Sequence, residues 1–434
     1  MKKYFFVLAV SLFTAGFSQN YKPADTTYSP VKLKTFQVFL ETSNENLGKD
    51  LKALNLKNKS TVSDITSSRK KMFAEMIKEK TFFFDEPTEK YIQGLMDRIV
   101  QKNSLKIAPQ KVLLSRETSP NALSLGDGLY IFNTSIVNKM ESEDEISYIL
   151  SHELSHYILK HLQRSLVKND ELKNSADFKA RVKEIRKTRN TGIQKGLSLM
   201  KDYQYFDKKN SRKQEIEADS LAFILFKNVA KDPANAAVAL SKLDSVSPIE
   251  IANLQKDDYR KFFDTPSQKF KEEWLEIYGE NTYNYSKSKV NSLGINSDSI
   301  STHPEITERI ALLSKKSGAV NTQSVSGVTP EFQAFKNKML NETLFSYFVQ
   351  KEYGRGLYFA LQVQKKDPGN EFAGKMRGFF LENLADARKN HTYKRYVDDV
   401  NVQKQSDSYT RFLAVLENLS TSELEKLAQH YKNN

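Results

Sequence analysis

The chain has 434 residues, 39% hydrophobic and 27% charged, which is enough apolar sequence for at least one sizeable core and excludes an intrinsically disordered chain. Lys and Arg outnumber Asp and Glu by 66 to 53, giving a formal charge of +13. Cysteine is absent, which excludes disulfides and a lipid-modified N-terminal cysteine, so stability must come from packing and metal.

Residues 1–18 have the layout of a signal peptide. Lys2 and Lys3 precede an apolar run from Tyr4 to Phe17, and the small residues Gly16 and Ser18 close it. The run is about fourteen residues, short of the ~20 needed to cross a bilayer, so cleavage near Ser18 is expected and an uncleaved anchor is not. No later stretch is long and apolar enough to span a membrane. This predicts an exported protein, most simply periplasmic, with secreted or outer-membrane-associated locations as the other possibilities.

The segment 19–85 is difficult to assign. Val31, Leu33, Phe36, Val38 and Leu40 alternate with one slip, a polar linker follows, and Ser63 to Lys80 reads as a helix. Beyond Asp85 and Pro87, residues Tyr91, Ile92, Leu95, Met96, Ile99 and Val100 keep helical spacing. Lys111 to Ser115 then reads as a short strand, and Ala122 to Phe132 as another, interrupted at Gly126-Asp127-Gly128. Ser142 and Glu145 make a capping box, so a helix starts near Glu143 with the apolar face Ile146, Ile149, Leu150, Leu154, Tyr157 and Ile158. It is expected to run past Leu162 into a charge-rich helical region ending around Asn190, and a third helix begins near Ser211. The basic stretches Lys183 to Arg189 and Lys208 to Lys213 lack the interleaved aromatics of a nucleic-acid platform. They read as a solvated face, with peripheral contact to an anionic membrane or acidic substrates as the alternative.

A stretch rich in Gly, Ser, Thr and Val, Gly318 to Thr329, marks a domain boundary, and residues 330–434 look all-helical. Tyr347, Gly356, Ala360 and Pro368 have about the spacing of one tetratricopeptide-like helix pair, closed by Asp367-Pro368-Gly369-Asn370. Helical hairpins of no repeat family fit nearly as well.

His152-Glu153-Leu154-Ser155-His156 fits HExxH inside that capped helix. At i and i+4 the two imidazoles share a face and can point at one tetrahedral ion, while Glu153 reaches the side where the attacking water sits. Glu153 is then the general base, taking the proton from that water and passing it to the leaving amine. Zinc needs a third protein ligand, and Glu215-Ile216-Glu217-Ala218-Asp219 supplies it: Glu215 and Asp219 share a face, and Glu217 points away. Glu215 reaches the ion and Asp219 accepts from the free ring nitrogen of a ligating histidine. Ala218 and Ala222 are small enough to let the two helices approach. His161, at i+5 from His156, falls off the ligand face, and the ligand types leave other divalent ions open beside zinc.

The order Asn121-Ala122, the Gly126 to Phe132 strand, HExxH, Glu-x-x-Ala-Asp, and Thr302-His303-Pro304 followed by Arg309-Ile310 resembles the HtpX, BepA and CAAX-prenyl-protease family of zinc metallopeptidases over about residues 86–315. The resemblance implies that His152, His156 and Glu215 bind one zinc ion per chain and that Glu153 is the base. It also implies that the strand near Ala122 to Phe132 takes substrate as an added strand. His303 is similar to a family histidine that in BepA-like members approaches the metal and gates it; equally, Pro304 makes it a residue flanking a helix start. Membrane-embedded members have spans this chain lacks, which argues against prenylated substrates. A polar insertion around Tyr259 to Asn296, with the single Trp274, is unlike compact relatives and suits a lid or a partner surface.

The fold expected is mainly α in an α+β plan: residues 1–18 as signal peptide, 19–85 as an N-terminal segment, 86–317 as a zincin-like catalytic domain with a small sheet, and 330–434 as a helical domain. The function expected is that of an exported zinc metalloendopeptidase hydrolysing unfolded or misassembled envelope proteins, with no nucleic-acid partner. Its rival is a client-binding, chaperone-like or adaptor module whose zinc site is latent or structural.

Overall fold

The structure, a computed structural model, describes residues 21–24, 29–187, 211–243, 249–277, 306–317, 328–402 and 405–433. Among these residues the chain is mostly helical with one small sheet, as an α+β reading requires. Two compact units separate. The first takes the described residues between 24 and 247 and between 279 and 339; the second takes 21–23, 249–277 and those from 340 onward.

In the first unit, α1 (Pro30–Lys52) and α2 (Ser60–Lys78) form a helical pair. The alternation at Val31 to Leu40 does not make a strand. Ser29 caps the helix and Pro30 starts it, and the residues that become buried, Leu40, Leu47, Gly48 and Leu51, follow helical spacing, while Val31 and Val38 stay exposed. Helix α3 (Glu86–Lys102) is capped by Asp85, whose carboxylate accepts from Thr88 N.

The sheet has the order β1-β3-β2, from β1 (Lys111–Ser115), β2 (Ala122–Ser124) and β3 (Leu129–Asn133). β1 lies parallel to β3 with Lys111 opposite Leu129, and β2 lies antiparallel to it with Ala122 opposite Phe132. Side chains alternate across it. Val112, Leu114, Tyr130 and Phe132 join the core built by Ile92, Met96 and Ile99 of α3 and by the HExxH helix, whereas Leu113, Leu129 and Ile131 pack with Leu40 of α1 and Phe73 of α2. The sheet is therefore covered on both faces, and the α1–α2 pair belongs to the same unit as the HExxH helix.

Four further helices complete the motif region: α4 (Glu143–Ile158), α5 (His161–Asn174), α6 (Ala176–Lys187) and α7 (211–226). Ser142 Oγ accepts from Glu145 N at 3.3 Å, and Glu145 reaches back to Glu141 N at 3.2 Å, so the capping box forms one residue displaced. The helix does not run unbroken past Leu162. Lys160 takes a left-handed conformation, φ 53°, and ends it, so α5 starts in a new direction at His161. Then come α8 (Asn235–Leu243) and the Ile306–Ser317 helix, which pack on one another.

The second unit contains α9 (Lys256–Phe263), the helices Tyr353–Lys366, Glu371–Lys389, Asp407–Asn418 and Thr421–Asn433, and the second half of Pro330–Val349. Gly356 sits where a Cβ would meet the Phe380 ring at 2.5 Å, which is why two helices can approach so closely there. The stretch expected to be a lid or partner surface is, in its described part, core: Tyr259, Phe262, Phe263 and Trp274 are buried, and Tyr259 Oη donates to Ser408 O at 2.8 Å. Overall polarity conceals four aromatics at burying positions. Residues 278–296 of that stretch, the Gly318 to Gly327 linker and the leader 1–18 lie outside the described residues.

Candidate metal centre

Helices α4 and α7 bring three donors together. Ala218 and Ala222 of α7 are fully buried. His152 Nε2 lies 3.0 Å from His156 Nε2 and 3.4 Å from Glu215 Oε2, and His156 Nε2 lies 3.6 Å from Glu215 Oε1. A tetrahedral ion with bonds of about 2.0–2.1 Å has ligand–ligand edges of about 3.3–3.4 Å. The three separations bracket that edge, and two imidazoles with one carboxylate are the donor chemistry of such an ion. Among the described residues this is the one group of His and acidic side chains able to hold a metal.

Its surroundings fix the donors. Asp219 Oδ1 lies 3.0 Å from His152 Nδ1, although the buried Nδ1 does not complete a hydrogen bond in this geometry. Tyr148 Oη donates to Asp219 Oδ1 at 2.9 Å, and Arg309 donates through Nε at 2.6 Å and Nη2 at 2.9 Å. The remaining Arg309 nitrogen, Nη1, is 3.0 Å from Glu215 Oε2. One buried guanidinium thus ties Glu215 and Asp219 of α7 together.

The second histidine has its own support. His161 Nδ1 is 2.9 Å from His156 Nδ1, its Nε2 is 3.3 Å from Glu217 Oε2, and Arg164 Nη1 donates to the same oxygen at 2.6 Å. If His156 presents Nε2 as a ligand, its Nδ1 carries the hydrogen and donates to His161, whose Nε2–H then serves Glu217. The sequence hides His161 as a neighbour because a continuous helix carries i+5 off the face; the turn at Lys160 brings it back. Glu217 points away from the donors, as its spacing from Glu215 requires.

Charge in the cluster is tightly coupled. Burial opposes protonation of His152, yet the Asp219 and Glu215 carboxylates push it up to about 10. Burial, then the charge on His152, pushes His156 down to about 3. The two shifts run in opposite directions because His152 faces both carboxylates while His156 faces the charge on His152. Burial also opposes ionisation of Glu215, but His152 and Arg309 hold it down at about 2.

Glu153 stands on the other side, beside the sheet. Ser124 N donates to its Oε2 at 2.7 Å. β2 is an edge strand: Leu125 N bonds Leu129 O and Asn133 N bonds Asn121 O, so the odd residues face β3 and the backbone groups of Ala122 and Ser124 face outward. Burial raises the Glu153 carboxyl, partly countered by His152, to about 7, a value suited to exchanging protons near neutrality. Donors, Glu153 and this strand line one cleft of about 490 Å³, whose lining also includes Ile136, Ile149, Leu240 and Ile306.

The family model for peptidase family M48 matches residues 86–317, more than half of the chain. The chain belongs to peptidase family M48. That makes it a member of a metallopeptidase family, in agreement with the donor set. No curated protein matches the sequence in a direct comparison. The M48 match contains the α4–α7 donor cluster, the sheet and the Ile306–Ser317 helix with Arg309, and it begins after the α1–α2 pair. His303, expected either to approach the metal or to flank a helix, falls outside the described residues. No helix among the described residues is long and apolar enough to cross a membrane.

Proposed function

We propose that this chain is an exported zinc endopeptidase of the M48 family that hydrolyses peptide bonds in unfolded or misassembled envelope proteins. One observation carries the reading: Glu153 and the three donors share a cleft with an outward-facing edge strand, and Glu153 touches both the strand and the space beside the donors. His152, His156 and Glu215 are the residues that would hold the ion. A bound zinc would polarise the scissile carbonyl and favour ionisation of water. Glu153, raised by burial, accepts the proton of the attacking water at its carboxylate and delivers it to the departing amide nitrogen. Arg309 holds Glu215 and Asp219 in place, and Asp219 and His161 set the imidazole tautomers.

Pairing with a strand edge reads backbone rather than side chains, which fits substrates whose backbone groups are free, namely unfolded chains. The layout of residues 1–18 supports export, and the periplasm is the simplest destination. In this reading the C-terminal helices, whether a tetratricopeptide-like pair or hairpins of no repeat family, would hold such clients. Nucleic acid is no partner in this reading.

Cleavage of casein by the purified protein, beside Glu153→Gln, tests it. Wild type should cleave and the variant should lose about 10²–10⁴-fold in turnover while binding equal zinc. If both bind zinc and neither cleaves, the client-binding reading with a structural metal site takes its place.

A further inference from the structure

The α1–α2 pair lies before the M48 match, yet it is fastened to the turn that shapes the edge strand. Arg69 of α2 donates through Nη2 to Asp127 Oδ2 at 2.7 Å and to Ser43 Oγ at 3.0 Å, and Ser43 Oγ of α1 donates to the same Asp127 oxygen at 2.7 Å. Asp127 also accepts from Leu129 N through Oδ1 at 3.2 Å, so both of its oxygens are committed. Arg69 and Asp127 are each no more than 7% exposed.

The turn itself has no freedom to wander. Gly126 and Gly128 have φ of +83° and +88°, and a Cβ on Gly126 would meet Leu162 at 2.5 Å. Gln163 Nε2 donates to Gly126 O at 3.0 Å from the first turn of α5. A second fastening joins α5 to the helical pair: Asp170 accepts from Lys57 N at 2.8 Å and Asn58 N at 2.9 Å in the α1–α2 loop. The strand is thus gripped at its end from two directions, three residues from the Ser124 amide that contacts Glu153.

Arg69 is poorly placed for stability alone. Its guanidinium lies over the Phe73 ring at 5.2 Å, but its buried Nε and Nη1 have no hydrogen-bond partner among the described residues, and a buried ion pair that leaves donors unsatisfied is commonly no better than apolar side chains of the same size. What such a pair does supply is a single allowed geometry. We propose that the α1–α2 pair is a clamp on the substrate-accepting edge strand, with Arg69, Ser43 and Asp127 as positioning residues that hold the Ala122 and Ser124 backbone in place to pair with an extended substrate. This rests on the peptidase reading and on β2 taking substrate as an added strand.

The test compares Asp127→Asn, and the milder Ser43→Ala, with wild type on casein and on a peptide too short to pair along β2. The clamp predicts a fall of about tenfold in kcat/KM on casein, carried mainly by KM, with the short peptide spared. Zinc content should not change, and amide hydrogen exchange at Leu123 and Leu125 should quicken. Equal losses on both substrates, or unchanged exchange in β2, would overturn it. If wild type cleaves neither substrate, the peptidase reading falls instead, and the exchange rates still decide whether the clamp exists.

Discussion

Two buried arginines serve the same unit in opposite ways. Arg309 commits Nε, Nη1 and Nη2 to two carboxylates, whereas Arg69 engages Asp127 and Ser43 through Nη2, and its Nε and Nη1 have no hydrogen-bond partner among the described residues. The first guanidinium is fully engaged by its two carboxylates; the second orients a turn, lies over the Phe73 ring at 5.2 Å, and is only partly hydrogen-bonded. Full engagement of Arg309 makes the acidic side of the donor cluster intolerant of its loss. Partial satisfaction makes the turn anchor adjustable in stability while strict in geometry.

The sharpest way to break that contrast is Arg309→Ala, which leaves Glu215 and Asp219 buried without their counter-charge. It should cost about 3–5 kcal/mol in denaturant unfolding of the metal-free protein, and weaken zinc retention as well. Glu215→Ala removes one of three donors and should yield protein with little zinc by metal analysis; full occupancy would mean that another acidic residue ligates. Less severe is His161→Asn, which takes away the partner of His156 Nδ1. Zinc affinity measured against a chelator should drop about 10–100-fold, and Glu217→Gln should fall in the same direction. Smallest of all, Ser43→Ala should cost only about 1 kcal/mol, because Arg69 still reaches Asp127. A loss as large as that of Arg309→Ala would erase the distinction between the two arginines.

The donor cluster is legible in the sequence because its spacing is local. HExxH repeats at helical period, Glu215 and Asp219 repeat at the same period, and Ala218 advertises a close helix contact. The strands are legible through Gly126 and Gly128, which interrupt an otherwise apolar run. What escapes depends on long sequence separations or on one backbone angle. Nothing at Arg69 points to a partner 58 residues away. Helical periodicity sends His161 in the wrong direction because Lys160 in the left-handed region is unusual for a non-glycine residue. The Val31 to Leu40 pattern misleads because a ten-residue window samples alternation, while Leu47 and Leu51 beyond it carry the helical period. In the Tyr259 to Trp274 stretch, average polarity outweighs the few aromatics that decide burial.

Trp274 gives the second unit an optical identity. It is the only tryptophan in the chain, is 1% exposed, and stacks edge-on with Phe270 at 5.3 Å. Its fluorescence during unfolding therefore follows the C-terminal unit directly, while far-ultraviolet dichroism weighs both units. Stripping bound metal and watching the two signals separate, or move together, measures whether the two bodies melt as one.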